Sequence, residues 1–325
     1  MFRNIILGVI LLVIAVWAFN SSFLTGPAED AQTRILSHRG VHQTYSRENL
    51  GMQDCTAVRI FEPSHGFLEN TIPSMRAAFE AGADIVEIDI HWTADGHFAV
   101  FHDWTLDCRT NGRGVTEDAS RADLKKLDVG YGYTADGGET YPFRGRFVGA
   151  MPMLDEVFDA FPDGRFYVNL KSNNPEEGAA FAAFIGAHPE WRANVYGFYG
   201  GARAVAGAQS AFPDIEGVST ALTKACLTSY ALWGWSGHVP ENCRNTQILV
   251  PISHAHYLWG WPHKFTARMK AAGSEVMLAG PYSGNRAGAG GINTGETAAR
   301  VPADFDGFIW TDRVEEIAPF LQKRE

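Results

Sequence analysis

The sequence predicts an α/β protein: a (β/α)8 barrel of the TIM type, preceded by an N-terminal transmembrane anchor. Three observations carry this. Short apolar runs of strand length alternate with helix-like segments along most of the chain. Eight such runs can be marked out, the number a closed parallel barrel needs. An uncharged apolar stretch stands ahead of all of them.

The strand candidates are Ile35–Ser37, Ile85–Ile90, Phe166–Leu170, Asn194–Tyr199, Ile215–Ser219, Gln247–Ile252, Glu275–Ala279 and Gly307–Thr311. Between them, small and apolar residues recur at helical spacing over Thr71–Ala81, Glu177–Ile185, Ala202–Ala211 and Lys264–Ala272. A doubly wound open sheet would give a similar alternation, so strand count favours the barrel only modestly. Residues 41–68 and 220–245 interrupt the rhythm and read as insertions, and loops of that length in a compact domain are usually functional or braced. The expected organisation is an anchor over 1–24, a polar linker over 25–33 and one barrel domain over 34–325.

The anchor rests on the run Ile5–Phe19, with Arg3 before it and Asn20-Ser21-Ser22 after it. It is short against the ~20 residues of a full span, and Phe23 and Leu24 extend it to a just sufficient length. No good small-x-small cleavage site follows directly. The charge order, positive before and acidic Glu29 and Asp30 after, leaves the N-terminus in the cytoplasm. The expectation is a single-pass inner-membrane protein with its barrel outside the cytoplasm (periplasmic), or a secreted one if the segment is a cleaved signal.

Net charge and cysteines narrow the partners and the compartment. At a formal −10 the chain repels nucleic acid, so no nucleic-acid partner is expected, although a local cationic site for one phosphate is compatible with it. Cys55, Cys108, Cys226 and Cys243 lack C-x-x-C spacing, which argues against a structural zinc or a redox motif. An even number in an exported chain permits two disulfides. Of three pairings, Cys55 with Cys108 and Cys226 with Cys243 are favoured, against the alternative of free buried thiols.

Three stretches carry chemistry. Ser37-His38-Arg39-Gly40 ends the first strand, offering a base that titrates near neutrality and a planar fork for phosphate oxygens; alone it is a weak signal. In Glu87-Ile88-Asp89-Ile90-His91 strand alternation puts both carboxylates on one face. Inside a barrel they would repel unless a proton or a hard cation such as Mg²⁺ or Ca²⁺ lay between them. The plainer reading, a solvated edge strand, sits badly with the apolar Ile85, Val86, Ile88 and Ile90. Third, Asp95-Gly96 favours a tight turn, after which Phe98–Asp103 brings His102 back towards the carboxylates. Two histidines suit phosphodiester cleavage, one as base and one as acid.

Taken in order, His38-Arg39-Gly40, Glu69-Asn70-Thr71, Glu87-Ile88-Asp89, His102-Asp103, Thr105-Leu106-Asp107, Arg109–Gly114 and Gly307–Asp312 resemble the glycerophosphodiester phosphodiesterase family, within the phospholipase C-like barrel superfamily. The match is dense up to about Lys171 and thin beyond it. The resemblance implies a site at the C-terminal ends of the strands. His38 and His102 would be the acid–base pair, Arg39 and Lys171 would bind phosphate, and Glu87 and Asp89 would bind a divalent cation (Mg²⁺ or Ca²⁺). Glu69 would orient His38 or Arg39, unless it merely starts a helix. The implied reaction is metal-dependent hydrolysis of glycerophosphodiesters to an alcohol and glycerol-3-phosphate.

Two departures from the family pattern stand out. In Val168-Asn169-Leu170-Lys171, Asn169 occupies the place of the third acidic ligand; its amide oxygen can still ligate but brings no charge. The 41–68 insertion is longer than the family's usual turn and must lie over or beside the barrel mouth.

Substrate choice is less determined. Leu-Trp-Gly-Trp occurs at Leu232–Trp235 and at Leu258–Trp261, fitting either a membrane surface and an acyl chain or packing beneath loops. Trp310, ending the last strand, would line the pocket. The substrate is therefore a soluble glycerophosphodiester or a lysophospholipid. Alternatives are a lysophospholipid or sphingolipid phosphodiesterase, phospholipase D-like, that releases a cyclic phosphate, and a non-catalytic phospholipid-binding relative. His254-Ala255-His256 prompts an amidohydrolase reading, but falls after the sixth strand rather than the first.

Overall fold

A single sheet of nine strands organises the molecule. In chain order they are β1 (Thr33–His38), β2 (Ile85–Trp92), β3 (Phe98–Val100), β4 (Phe166–Leu170), β5 (Val195–Gly200), β6 (Gly217–Val218), β7 (Gln247–Pro251), β8 (Glu275–Ala279) and β9 (Gly307–Thr311). This is a computed structural model that describes residues 2–51, 54–210, 212, 217–282 and 290–323. Eight strands run parallel in the order β6-β5-β4-β2-β1-β9-β8-β7, and the short β3 folds back antiparallel on β2. The first strand pairs with the last, Ser37 beside Thr311. The sheet therefore curls into a nearly closed barrel, with β6 and β7 at the two ends of the path. Across that gap a Cβ on Gly197 of β5 would lie 2.9 Å from the Gln247 amide of β7, so glycine there lets the strands approach.

The two faces of each strand follow the period-2 alternation. On β2, Val86, Ile88 and Ile90 face outward beneath the helices Ile72–Glu80, Leu154–Ala160, Pro175–Ala187 and Ala202–Gln209. All three are fully buried, each contributing roughly 2 kcal/mol of apolar burial. The inward residues Leu36, Ile85, Tyr167, Met277 and Phe308 plug the barrel. One step further towards the C-terminal ends the inward layer turns polar, and this is where the site lies.

Two segments differ from their sequence reading. The run expected over 215–219 is present as β6, although its first two residues lie outside those described. Residues 220–245 are largely not a loop: Thr220–Trp233 is a helix, the connection a barrel requires between β6 and β7. Its apolar residues fall on every side, with Leu222, Leu232 and Trp233 exposed, so no single stripe marks it in the sequence. Cys226 on this helix is bonded to Cys243, and Cys55 to Cys108, the favoured pairing in both cases. At the N-terminus, the helix Phe2–Phe19 is exposed along its length and is long and apolar enough to cross a membrane, a test a signal sequence passes equally.

Candidate active site

The site begins with a sharp turn after β1. Arg39 and Gly40 both have positive φ, 59° and 77°. A Cβ on Gly40 would lie 2.3 Å from Ser74 Oγ, so only glycine fits there. The turn is held by Asn70 N–H donating to Arg39 O (3.0 Å) and by Ser74 Oγ donating to the same oxygen (3.1 Å). Strand register then sets the row: His38 beside Glu87, Asp89 beside Asn169, and Asn169 beside Tyr199. The sequence-predicted His38, Glu87, Asp89 and Asn169 thus stand in one row, and Tyr199 joins them unforeseen.

Each carboxylate is densely partnered. Asp89 Oδ1 accepts from Asn169 Nδ2 (2.8 Å) and lies 3.3 Å from Lys171 Nζ; Oδ2 accepts from Asn70 Nδ2 (2.9 Å) and lies 3.2 Å from Arg39 Nε. Burial alone would raise the Asp89 carboxyl, but Lys171 and Arg39 hold it well below the usual range. Glu87 goes the other way: burial first, then the Asp89 charge, push it up, although Tyr199 donates to its Oε1 (2.7 Å). Two buried carboxylates side by side, one forced towards its neutral form, are relieved by a cation. With the oxygen of the neighbouring Asn169 amide they are donors of the kind that could hold a hard cation.

The two histidines are set by aspartates. His38 Nδ1 lies 2.5 Å from Asp312 Oδ1, and its ring centroid is 5.0 Å from that of Trp310. His102 Nδ1 lies 2.6 Å from Asp103 Oδ1. Burial, with Arg39 nearby, pushes His38 down to about 4; burial, Arg39 and Lys171 push His102 down to about 3. Both rings are therefore neutral at rest, with Nδ1–H directed at an aspartate and Nε2 left to face the site. Both rings lie within electrostatic reach of the Asp89 carboxylate, so they stand about the same group. His38, His42 and Asp312 also bring three donor atoms within 4.8 Å of one another, so this edge can hold a cation too, at the expense of the His38–Asp312 bond.

Several functional partners escaped sequence reasoning. Asp312 and Asp103 stand inside the motifs Gly307–Asp312 and His102-Asp103, but the sequence assigned them no role. Arg109 links Asp103 (3.0 Å), Glu69 (2.9 Å), Tyr133 (2.8 Å) and Thr56 (2.6 Å). Glu69 accepts from Tyr133 OH (2.8 Å) and lies 3.7 Å from Arg39, so it touches Arg39 and not His38. Of the insertion's basic residues, His42 reaches the site, 4.0 Å from Asp312; Arg59 is turned away towards Asp54 and Glu48.

Residues 38–182 match the glycerophosphoryl diester phosphodiesterase family. That stretch is under half of the chain, and over it the chain is similar to this family. Among curated relatives it is 41% identical over 104 residues to a glycerophosphodiester phosphodiesterase of Caldanaerobacter subterraneus, covering 32% of this chain and 39% of the relative. It is 39% identical over 114 residues to one of Bacillus subtilis, covering 34% of this chain and 38% of the relative. The matches thus span about two fifths of those relatives. The fold extends further: a glycerophosphodiester phosphodiesterase structure from Agrobacterium tumefaciens aligns over 89% of this chain and 100% of its own, with a TM-score of 0.57 at 24% identity. The matched region starts at His38, the last residue of β1, and contains β2 and β4 with Glu87, Asp89, His102 and Lys171; Asp312 and Trp310 come from beyond it.

Proposed function

We propose that the chain hydrolyses glycerophosphodiesters to an alcohol and glycerol-3-phosphate by two-histidine acid–base catalysis. The observation that carries this reading is the pair of aspartate-oriented histidines about one layer of Arg39, Lys171, Glu87 and Asp89. Arg39 and Lys171 bind the phosphate oxygens, and the anion they hold raises both imidazoles from their resting values, supplying the charged acid form. The glycerol hydroxyl next to the diester attacks phosphorus and gives its proton to a neutral imidazole. The P–O bond to the alcohol breaks as the other, protonated histidine donates to the leaving oxygen. Water then opens the cyclic phosphate with the two roles exchanged, which regenerates both rings.

Glu87, Asp89 and the Asn169 amide would hold the divalent cation, Mg²⁺ or Ca²⁺, which offsets charge on a phosphoryl oxygen when bound. Asn169 now donates to Asp89, so ligation requires its amide to turn. Glu69 and Arg109 act as positioning residues for Arg39 and for the His102–Asp103 pair, and Trp310 lines the pocket.

We further read Phe2–Phe19 as an uncleaved anchor, because Asn20 and Ser22 just after it are buried against the barrel. A segment destined for removal needs no such docking. The same feature favours a second reading, in which a lysophospholipid is the substrate.

The test is phosphodiesterase activity of the full chain on glycerophosphocholine and on lysophosphatidylcholine, with and without chelator, with product analysis. Activity that survives both chelation and His38→Ala would sink the mechanism. Asn169→Glu should tighten Mg²⁺ binding by titration calorimetry; unchanged affinity would mean that Asn169 does not face the ion.

A further inference from the structure

The end of the Phe2–Phe19 helix is not a loose tether. Asn20 Nδ2 donates to Trp235 O (2.9 Å), and Asn20 Oδ1 accepts from Arg268 Nη1 (2.8 Å), which also reaches Tyr230 OH (3.0 Å) and Gly234 O (3.1 Å). Ser22 Oγ donates to Gly260 O (2.5 Å) and accepts from Lys264 N (3.2 Å). The Phe19 ring sits under Lys264 Nζ (4.8 Å) and the Arg268 guanidinium (5.1 Å). So the last turn of the apolar helix is pinned to the segment 234–237 and to the first turn of the helix His263–Ala271.

That location has an orientation. Gly260 and Lys264 follow β7 and therefore lie at the C-terminal ends of the strands, the end that carries the site. From there the linker descends along the same helix, Ser22 at its first turn and Asp30 paired with Lys270 (3.2 Å) at its last, to reach the start of β1. The apolar helix and the catalytic mouth thus share one end of the barrel.

Around the pinned junction the surface is unusually apolar. Phe23 is 93% exposed, Leu24 63%, Leu232 65%, Trp233 58% and Trp235 42%. These residues come from two stretches far apart in sequence, joined by the Asn20–Trp235 hydrogen bond, and Lys264 stands among them in a chain of net charge −10. Contiguous exposed apolar residues mark a contact surface, tryptophan favours the bilayer interface, and lysine beside them suits lipid phosphates.

We propose that Phe23, Leu24, Leu232, Trp233 and Trp235 form a lipid-contact surface that beds in the same leaflet the helix enters, fixing the barrel with its mouth at the bilayer surface. The inference rests on the anchor reading above. It means that substrate is taken from the lipid interface, as a phosphodiester carried by or lying among lipids.

The experiment uses the full chain in vesicles of phosphatidylcholine and phosphatidylglycerol, with acyl chains either plain or brominated. A Trp17→Phe background removes the tryptophan of the membrane helix. In that background brominated lipid should still lower the emission, and Trp233→Phe with Trp235→Phe should abolish that drop. Activity on soluble glycerophosphocholine should not change in these variants, so failure of the catalytic reading is seen separately. No quenching in the Trp17→Phe chain, or quenching that persists after Trp233 and Trp235 are replaced, overturns the surface. Release of the full chain by alkaline carbonate overturns the anchor and the surface with it.

Discussion

His38 and His102 meet matching partners at Nδ1 and differ in everything behind them. Asp312 is held by neutral groups at the end of the sheet: Gly291 N–H (3.1 Å) and Asn293 Nδ2 (2.6 Å). Asp103 is held by a buried charge, Arg109, which is shared with Glu69 and flanked by the Cys55–Cys108 disulfide. Thr56, next to Cys55, closes the circle by accepting from Arg109. Neutral amides can lose one member at modest cost. A buried charge network cannot, because removing one partner strands the others. The His38 half should therefore respond to mutation locally, and the His102 half as a unit.

The largest effect expected is common to both halves. His38→Ala and His102→Ala should each lower kcat on glycerophosphocholine by about 10²–10⁴-fold, with the double variant little worse than the poorer single one. A double variant that multiplies the two losses would mean that the histidines act independently.

The halves should then separate. Arg109→Ala should cost about 3–5 kcal/mol of stability along with activity, whereas Asp312→Asn should lose activity with the melting temperature almost unchanged. Equal melting temperatures for the two variants would remove the distinction. Next, Cys55→Ala with Cys108→Ala should destabilise by about 2–4 kcal/mol and lower kcat through His102, and the loss should be absent when His102 is already alanine. Full activity after selective opening of this bridge would show that Arg109 holds its place unaided.

The smallest effect concerns pH. Both rings have folded values, about 4 and about 3, below the ~6.5 of an unfolded histidine. The native state thus binds fewer protons, and this stability is present above about pH 6.5 and lost as pH falls towards the folded values. Melting scans from pH 7 to 4.5 should show a decline that each alanine variant flattens. A decline of unchanged slope in both variants would assign it to other groups.

What the sequence made legible was local or periodic. Alternation placed Glu87 and Asp89 on one inward face, and it set the bounds of β4, β8 and β9 to the residue. What it hid was long-range. Asp312 meets His38 across 274 positions, and Tyr199 meets Glu87 across 112, and no spacing rule reaches that far. The repeated Leu-Trp-Gly-Trp shows the same limit. At Leu258–Trp261 it packs into the core beside Phe265, Leu258 being 7% exposed, while at Leu232–Trp235 its side chains stay outside. Identical residues took opposite fates because their surroundings differ.

The docking of Asn20 and Ser22 has a mechanical corollary. A tethered enzyme hangs on a leash whose length decides how far its mouth wanders from the lipid. Here the attachment lies upstream of the slack, so the 26–32 stretch is only the return path to β1. Under the proposed anchor reading, lengthening it would leave the mouth at the same height above the bilayer: the barrel would stand on a pedestal, and the leash would carry no tension.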